Sequence, residues 1–296
     1  MTLLELVDAA SARLDAAGVS YGHGTTNAFD EAAWLVLWRL GLPLDTDLQD
    51  PRLPPPGAPQ RDAVEQLIAR RITSRLPAAY LTGEAWLQGL SFHADARAIV
   101  PRSLIAELVV AGALDHWLAA PPLRVLDLCT GGASLAVHAA LHWPDAQVEA
   151  ADISAEALAL ARLNIDRHGL AARIRLLQGD GCAPLSGVYD LVLCNPPYVN
   201  ADSMADLPAE YRAEPALALA GGPDGMDFVR QMLRDIPRHL SDDALLVLEI
   251  GHERAHFERA FPDLEALWQD TSAGEDQVCV ITRAALAAQP RHNPSP

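Results

Sequence analysis

From residue 103 onward, short apolar runs alternate with segments of helical period, and no other pattern in the chain restricts the fold so strongly. The spacing predicts a helix over 104–118, a strand over 123–129, a helix over 134–142 and a strand over 147–151. A helix over 155–168, strands over 174–178 and 189–194, a helix over 226–240 and a strand over 244–250 follow. Strands that are separated by helices pair in parallel, with the helices covering both faces and ligands bound at the strands' carboxyl ends. The expected fold is therefore α/β, a doubly wound and mostly parallel sheet. Two last strand candidates, 265–269 and 277–282, have only a loop between them and suit an antiparallel pair at one sheet edge.

The first hundred residues have a different rhythm. Leu3, Leu4, Leu6, Val7, Ala10 and Leu14 recur at helical spacing and predict a helix over 3–17, stopped by Gly18. A second helix suits 29–40, before Gly41 and Pro43. Pro51, Pro54, Pro55, Pro56 and Pro59, with Gly57, exclude a helix and make a loop. A third helix over 61–75 carries Val64, Leu67, Ile68 and Ile72 on one stripe, with arginines elsewhere. Between 80 and 102, Trp86, Leu87, Leu90 and Phe92 sit among Gly83, Gly89 and Asp95, as in a hairpin. The resulting division is a small helical domain over 1–79, a hairpin linker over 80–102, an α/β domain over 103–284 and a tail over 285–296, frayed because it has no apolar period.

Charge narrows the function. With 22 basic and 39 acidic residues the chain carries −17, a field that repels phosphate backbones, so autonomous nucleic-acid binding is disfavoured. The longest uncharged run, 128–144, contains Gly131, Gly132, His138 and His142 and is too short for a membrane helix. No basic segment precedes the first apolar residues, so no signal peptide is expected. Cys129, Cys182, Cys194 and Cys279 show no metal-ligand spacing, which fits reduced thiols in a cytoplasmic chain and no zinc.

The chemistry concentrates at the strand ends. The first strand of the sheet leads through Asp127, Leu128, Cys129 and Thr130 into Gly131, Gly132 and Ala133, where a helix begins. Glycines at such a turn admit a ligand close to the backbone, and the helix start offers free N–H groups. Asp152 closes the second strand at the distance where nucleotide-binding sheets place an acid for ribose hydroxyls, and Ser154 is the better cap for the next helix. Asp180 ends the third strand and is suited to accept from an adenine amino group. Asn195, Pro196, Pro197 and Tyr198 end the fourth. Two prolines fix the backbone there, so the Asn195 side-chain oxygen and the Pro196 carbonyl are both presented to one spot, where a planar NH2 group can donate one proton to each.

These residues are similar to those of the class I S-adenosylmethionine-dependent methyltransferases with an Asn-Pro-Pro-Tyr motif. More narrowly, the chain resembles the glutamine methyltransferases that modify release factors and ribosomal protein L-three, and the ribosomal-protein branch most. The anchors are 100–108, beginning Val100-Pro101-Arg102-Ser103, then 127–131, 195–199 and 206–215, so the likeness covers nearly the whole chain. The resemblance implies a Rossmann-like domain that binds S-adenosylmethionine through Asp127, Cys129, Thr130, Gly131, Asp152, Ile153, Asp180 and Asn195. It implies that Asn195, Pro196, Pro197 and Tyr198 hold the target amide, with Asn195, Pro196 and Tyr198 acting in the transfer and Tyr198 as an aromatic wall. By the same resemblance the helical domain recognises the substrate; Arg102 and Glu107, which precede the sheet, suit orienting the loop over the site or a surface ion pair, and Gly221, Gly222 and Gly225 with Asp224 suggest a turn that ends a mobile cover over 200–223. The partner implied is the basic ribosomal protein L-three, met by the acidic surface, with the same chemistry on a release factor or on exocyclic amines of RNA or DNA as alternatives. One position departs from the pattern: Ala133 stands where a further glycine is usual, with Gly132 before it to supply flexibility.

Overall fold

A computed structural model describes residues 1–288. Helices α1 (Leu3–Ala16), α2 (Ala28–Leu40), α3 (Ala58–Ser74) and α4 (Ala78–Thr82) make the first domain around a core of Leu6, Val7, Leu14, Leu35, Val36 and Ile68. Thr2 and Glu5 form a reciprocal capping box at the start of α1, and Asn27 caps α2, which Gly41 ends in the left-handed conformation. Helix α3 starts three residues earlier than its apolar stripe suggests, because Pro59 falls in its first turn, where no N–H is needed. Arg71 is not off the stripe but fully buried. Its guanidinium donates to Glu31 (2.8 Å) and to the Ser20 carbonyl (3.1 Å), which offsets its desolvation.

The linker is the expected antiparallel hairpin, β1 (Glu84–Leu87) with β2 (Leu90–His93), turned by Gln88 and Gly89 at positive φ. The second domain then runs through α5 (Ile105–Val110), β3 (Arg124–Leu128), α6 (Ser134–His142), β4 (Gln147–Asp152), α7 (Ala155–Arg167), β5 (Ile174–Gln178) and β6 (Tyr189–Cys194). After these come α8 (Ala201–Asp206), α9 (Ala209–Arg212), α10 (Asp227–Asp235), β7 (Leu240–Glu249), α11 (Arg254–Ala260), β8 (Leu267–Thr271), β9 (Gly274–Thr282) and α12 (Arg283–Ala288). The sheet has seven strands in the order β5-β4-β3-β6-β7-β9-β8, parallel except where β9 pairs with β7 and β8. Period-2 alternation sends Val125, Leu191, Leu193 and Val247 to one face and Leu126, Val192, Leu246 and Leu248 to the other. The chain winds outward from β3 to β5 and returns to β6 on β3's other side, so a crevice opens at the carboxyl ends of β3 and β6.

Other element ends also differ from expectation. The helix expected over 104–118 stops at Val110, because Gly112 takes φ +66°. That over 226–240 ends at Asp235 in a 3₁₀ turn containing Pro237. The tail is not frayed where it begins: α12 continues to Ala288 and buries Leu286, while the rest of that expectation, residues 289–296, lies outside the described residues.

Candidate active site

The turn leaving β3 is conformationally unusual. Cys129, Gly131 and Ala133 have φ of +62°, +54° and +64°, and two of the three are not glycine. Gly132 does not relieve Ala133, which takes the left-handed conformation itself at a cost of about 1 kcal/mol. Hydrogen bonds hold the turn in place. Asp127, buried beneath it, accepts from the Thr130 hydroxyl (2.5 Å) and the Ala136 N–H (2.9 Å) and so joins the turn to α6. Burial pushes the Asp127 carboxyl up to about 7, against the pull of those two donors. Across the turn, Asp152 accepts from the Gly131 N–H with one oxygen and from the Ser154 N–H with the other, both at 2.9 Å. Each oxygen keeps a lone pair for a further donor. Ser154, not Asp152, caps α7.

The crevice is an open cleft at the carboxyl ends of the strands. Its walls bring together Cys129, Gly131, Asp152, Ile153, Asp180, Asn195 and Pro197, with Phe228 and Leu217. Ile153, which lines it, is 47% exposed. Apolar side chains beside two carboxylates suit a nucleoside, with the base against Ile153 and Phe228 and the hydroxyls on Asp152. A smaller recess adjoins the cleft, lined by Arg102, Ser103, Asp127, Thr130 and Gly132 and sharing Cys129, Gly131 and Asn195 with it. Asn195 follows Cys194, which pairs with Leu128 across β6 and β3, and so stands where the two cavities meet.

Pro196 and Tyr198 line neither cavity. Pro196 is buried, and only its carbonyl suits the expected role. The ring of Tyr198, expected to be an aromatic wall, lies against Gly251, where a Cβ would be 2.6 Å from it, and this contact braces the motif. Burial, then Glu249, pushes the Tyr198 hydroxyl above its ordinary range. Backbone contact completes the bracing. Val199 exchanges hydrogen bonds with Leu219 and Gly221, and a Cβ on Gly225 would fall 2.2 Å from the Tyr198 carbonyl oxygen.

The segment expected to be a mobile cover is tied down by two buried glutamates that sequence reasoning missed. Glu210 accepts from Arg71 (3.2 Å) and Arg75 (3.1 Å) of α3 and its cap. Glu214 accepts from the Val100 N–H (2.8 Å) and from Arg102 through both terminal nitrogens (2.6 and 2.7 Å), with His23 Nε2 at 3.4 Å. Burial raises the Glu214 carboxyl, but His23 and Arg102 outweigh it and hold it at about 2. Tyr211 packs at a tilt against His23 with 4.3 Å between ring centres, which Gly22 permits because a Cβ there would meet the tyrosine hydroxyl. Ile99 on one side of this clamp and Pro215, Leu217 and Ala218 on the other are cleft walls. Glu107, grouped with Arg102 in the sequence reading, instead accepts from Ser272 at the surface.

Fold and site together define an S-adenosylmethionine-dependent methyltransferase, and residues 112–211 match the family described as "Methyltransferase small domain". The hMettl16 catalytic domain, in a crystal structure with an RNA hairpin, shares the fold at a TM-score of 0.50 and 13% identity, over 76% of this chain and 81% of that one. The sequence relatives are far nearer. A ribosomal protein uL3 glutamine methyltransferase of Bordetella pertussis is 54% identical over 96% of both chains. Those of Burkholderia pseudomallei (51%; 97% of this chain, 96% of the relative) and Neisseria meningitidis (43%; 97% and 95%) match over similar spans. The chain belongs to the ribosomal protein uL3 glutamine methyltransferases.

Proposed function

We propose that the chain transfers a methyl group to the side-chain amide nitrogen (N5) of a glutamine in large-subunit ribosomal protein uL3. The observation that carries this reading is the position of Asn195 at the junction of the cleft that holds Asp152, Ile153 and Asp180 and the adjoining recess. S-adenosylmethionine supplies a sulfonium-activated methyl group. An amide nitrogen is a weak nucleophile, so the protein's task is alignment and exclusion of water. The Asn195 side-chain oxygen and the Pro196 carbonyl take one amide N–H each and point the nitrogen at the cleft; such positioning contributes roughly 7–11 kcal/mol. The same acceptors stabilise the positive charge that develops on nitrogen. No base is needed before transfer, because the proton becomes acidic only as the N–C bond forms and then leaves along these acceptors to solvent. Asp152 and Ile153 hold the cofactor's nucleoside, Asp180 reaches its base, and Asp127, Cys129, Thr130 and Gly131 shape the turn beside its amino-acid end.

The helical domain, clamped to the cleft wall through Glu210 and Glu214, is the substrate-recognition domain of this reading. A net charge of −17 favours a basic partner, and a ribosomal protein before its assembly, in the cytoplasm, fits that requirement. Methylation of nucleic-acid amines calls for a basic surface instead. Of Arg70, Arg71 and Arg75, only Arg70 is exposed; Arg71 is buried and Arg75 is paired with Glu210. No helix among the described residues is long and apolar enough to cross a membrane. Incubation of the chain with S-adenosylmethionine and purified uL3, followed by tandem mass spectrometry, is expected to place one methyl on a glutamine. A methyl on lysine, on a terminus or nowhere contradicts the proposal.

A further inference from the structure

Asn164, on α7, is fully buried, and all its side-chain hydrogen bonds go to main chain of two other elements. Its Nδ2 donates to the Gly132 carbonyl (2.9 Å) and the His93 carbonyl (3.2 Å), and its Oδ1 accepts from the His93 N–H (2.7 Å). One carboxamide thus joins the cofactor turn, the end of β2 and α7. The bond to Gly132 has a particular geometric consequence. The Gly132 carbonyl belongs to the peptide unit that precedes Ala133, and rotation of that unit is what carries Ala133 into or out of positive φ. Fixing the carbonyl therefore opposes the flip by which Ala133 would escape its φ of +64°. No isosteric residue replaces this: aspartate has no donor for the two carbonyls, and leucine has neither donor nor acceptor.

We propose that Asn164 is a positioning residue for S-adenosylmethionine: it holds the Gly132–Ala133 peptide in the strained form that the cofactor turn needs, in place of the glycine that Ala133 displaces. The inference rests on the cofactor reading of the cleft. It makes the effects of Asn164 and Ala133 interdependent, which a purely structural role does not, since glycine at 133 adopts positive φ without help.

The test is titration calorimetry of S-adenosylmethionine into four proteins: the unaltered chain, Asn164→Ala, Ala133→Gly and the double variant, with melting temperatures alongside. Asn164→Ala removes all three bonds, of which only the one to Gly132 acts on the cofactor turn, and is expected to weaken binding about tenfold. Ala133→Gly alone changes affinity less than about twofold, yet in the double variant it recovers most of the loss. Ile165→Val, a packing change at the neighbouring buried position, is expected to lower the melting temperature and leave affinity alone. Asn164→Ser is the second variant should Asn164→Ala not fold, with the same expected rescue. Undiminished binding by the Asn164 variants, loss that Ala133→Gly does not repair, or equal loss in Ile165→Val overturns the inference. Absence of binding by the unaltered chain overturns the cofactor reading beneath it.

Discussion

Glu214→Gln removes one charge from the centre of the clamp between the two domains while keeping its shape. Glu214 is 4% exposed and meets Arg102 in a two-pronged pair, with the Val100 N–H on the same oxygen as one prong. Glutamine presents an NH2 to one of these donors, so one contact turns repulsive and a guanidinium loses its counter-charge. The carboxyl is lowered from 4.5 to about 2, and that shift corresponds to about 3 kcal/mol of stability at neutral pH, in line with the roughly 3–5 kcal/mol lost when a buried pair is broken. The sign follows from linkage. A depressed carboxyl contributes fully above its unfolded value, here 4.5, and loses that contribution as pH falls toward 2. Urea unfolding of Glu214→Gln and the unaltered chain at pH 7 is expected to show the full gap, and at pH 3 a gap smaller by about 2 kcal/mol. Because Ile99 and Pro215 flank the clamp, the variant's KM for S-adenosylmethionine should also rise. A gap that is pH-independent, or below about 0.5 kcal/mol at pH 7, refutes the reasoning.

Glu249 shows the opposite behaviour: burial raises its carboxyl to about 7, so its ionisation opposes folding as pH rises through that value. Both Ser103 Oγ (2.6 Å) and Leu104 N (2.9 Å) reach the same Glu249 oxygen, which glutamine also provides. Glu249→Gln should therefore gain stability relative to the unaltered chain between pH 5 and pH 8, and an unchanged difference by thermal melts counts against it. Gly225→Ala forces a Cβ into the Tyr198 carbonyl at a φ of +79° and should lower kcat/KM on the order of 10²-fold with calorimetric S-adenosylmethionine affinity kept; full activity contradicts the bracing role. Raising ionic strength should slow association with uL3, and a salt-independent on-rate by stopped flow removes the electrostatic steering.

Much of the architecture was legible because period and punctuation agree locally. Strands β5 and β6 and helix α6 lie where spacing alone put them, and Gly18 and Gly41 stop their helices as expected. The residues at the strand ends were legible for the same reason, since Asp152, Asp180 and Asn195 each follow a short apolar run into the crevice. Long-range pairing was not. Arg71 looked like a surface arginine because its partners, Glu31 and Glu210, lie 40 and 139 residues away in sequence. Gly221 and Gly225 read as the turn that ends a mobile segment, whereas close approach to the Pro197 and Tyr198 carbonyls requires them. Tyr198 belongs to a recognisable motif, but only the packing of Gly251 reveals which way its ring faces.

The central claim is that Asn195 presents a glutamine amide of uL3 to the cofactor. It is tested most directly by transfer of labelled methyl from S-adenosylmethionine to purified uL3, a release factor and ribosomal RNA in parallel, by the unaltered chain and by Asn195→Ala. The account predicts label on a uL3 glutamine, absent from the other two and lost in Asn195→Ala while S-adenosylmethionine still binds. Label in the release factor or the RNA instead, or label on uL3 that survives Asn195→Ala, contradicts it.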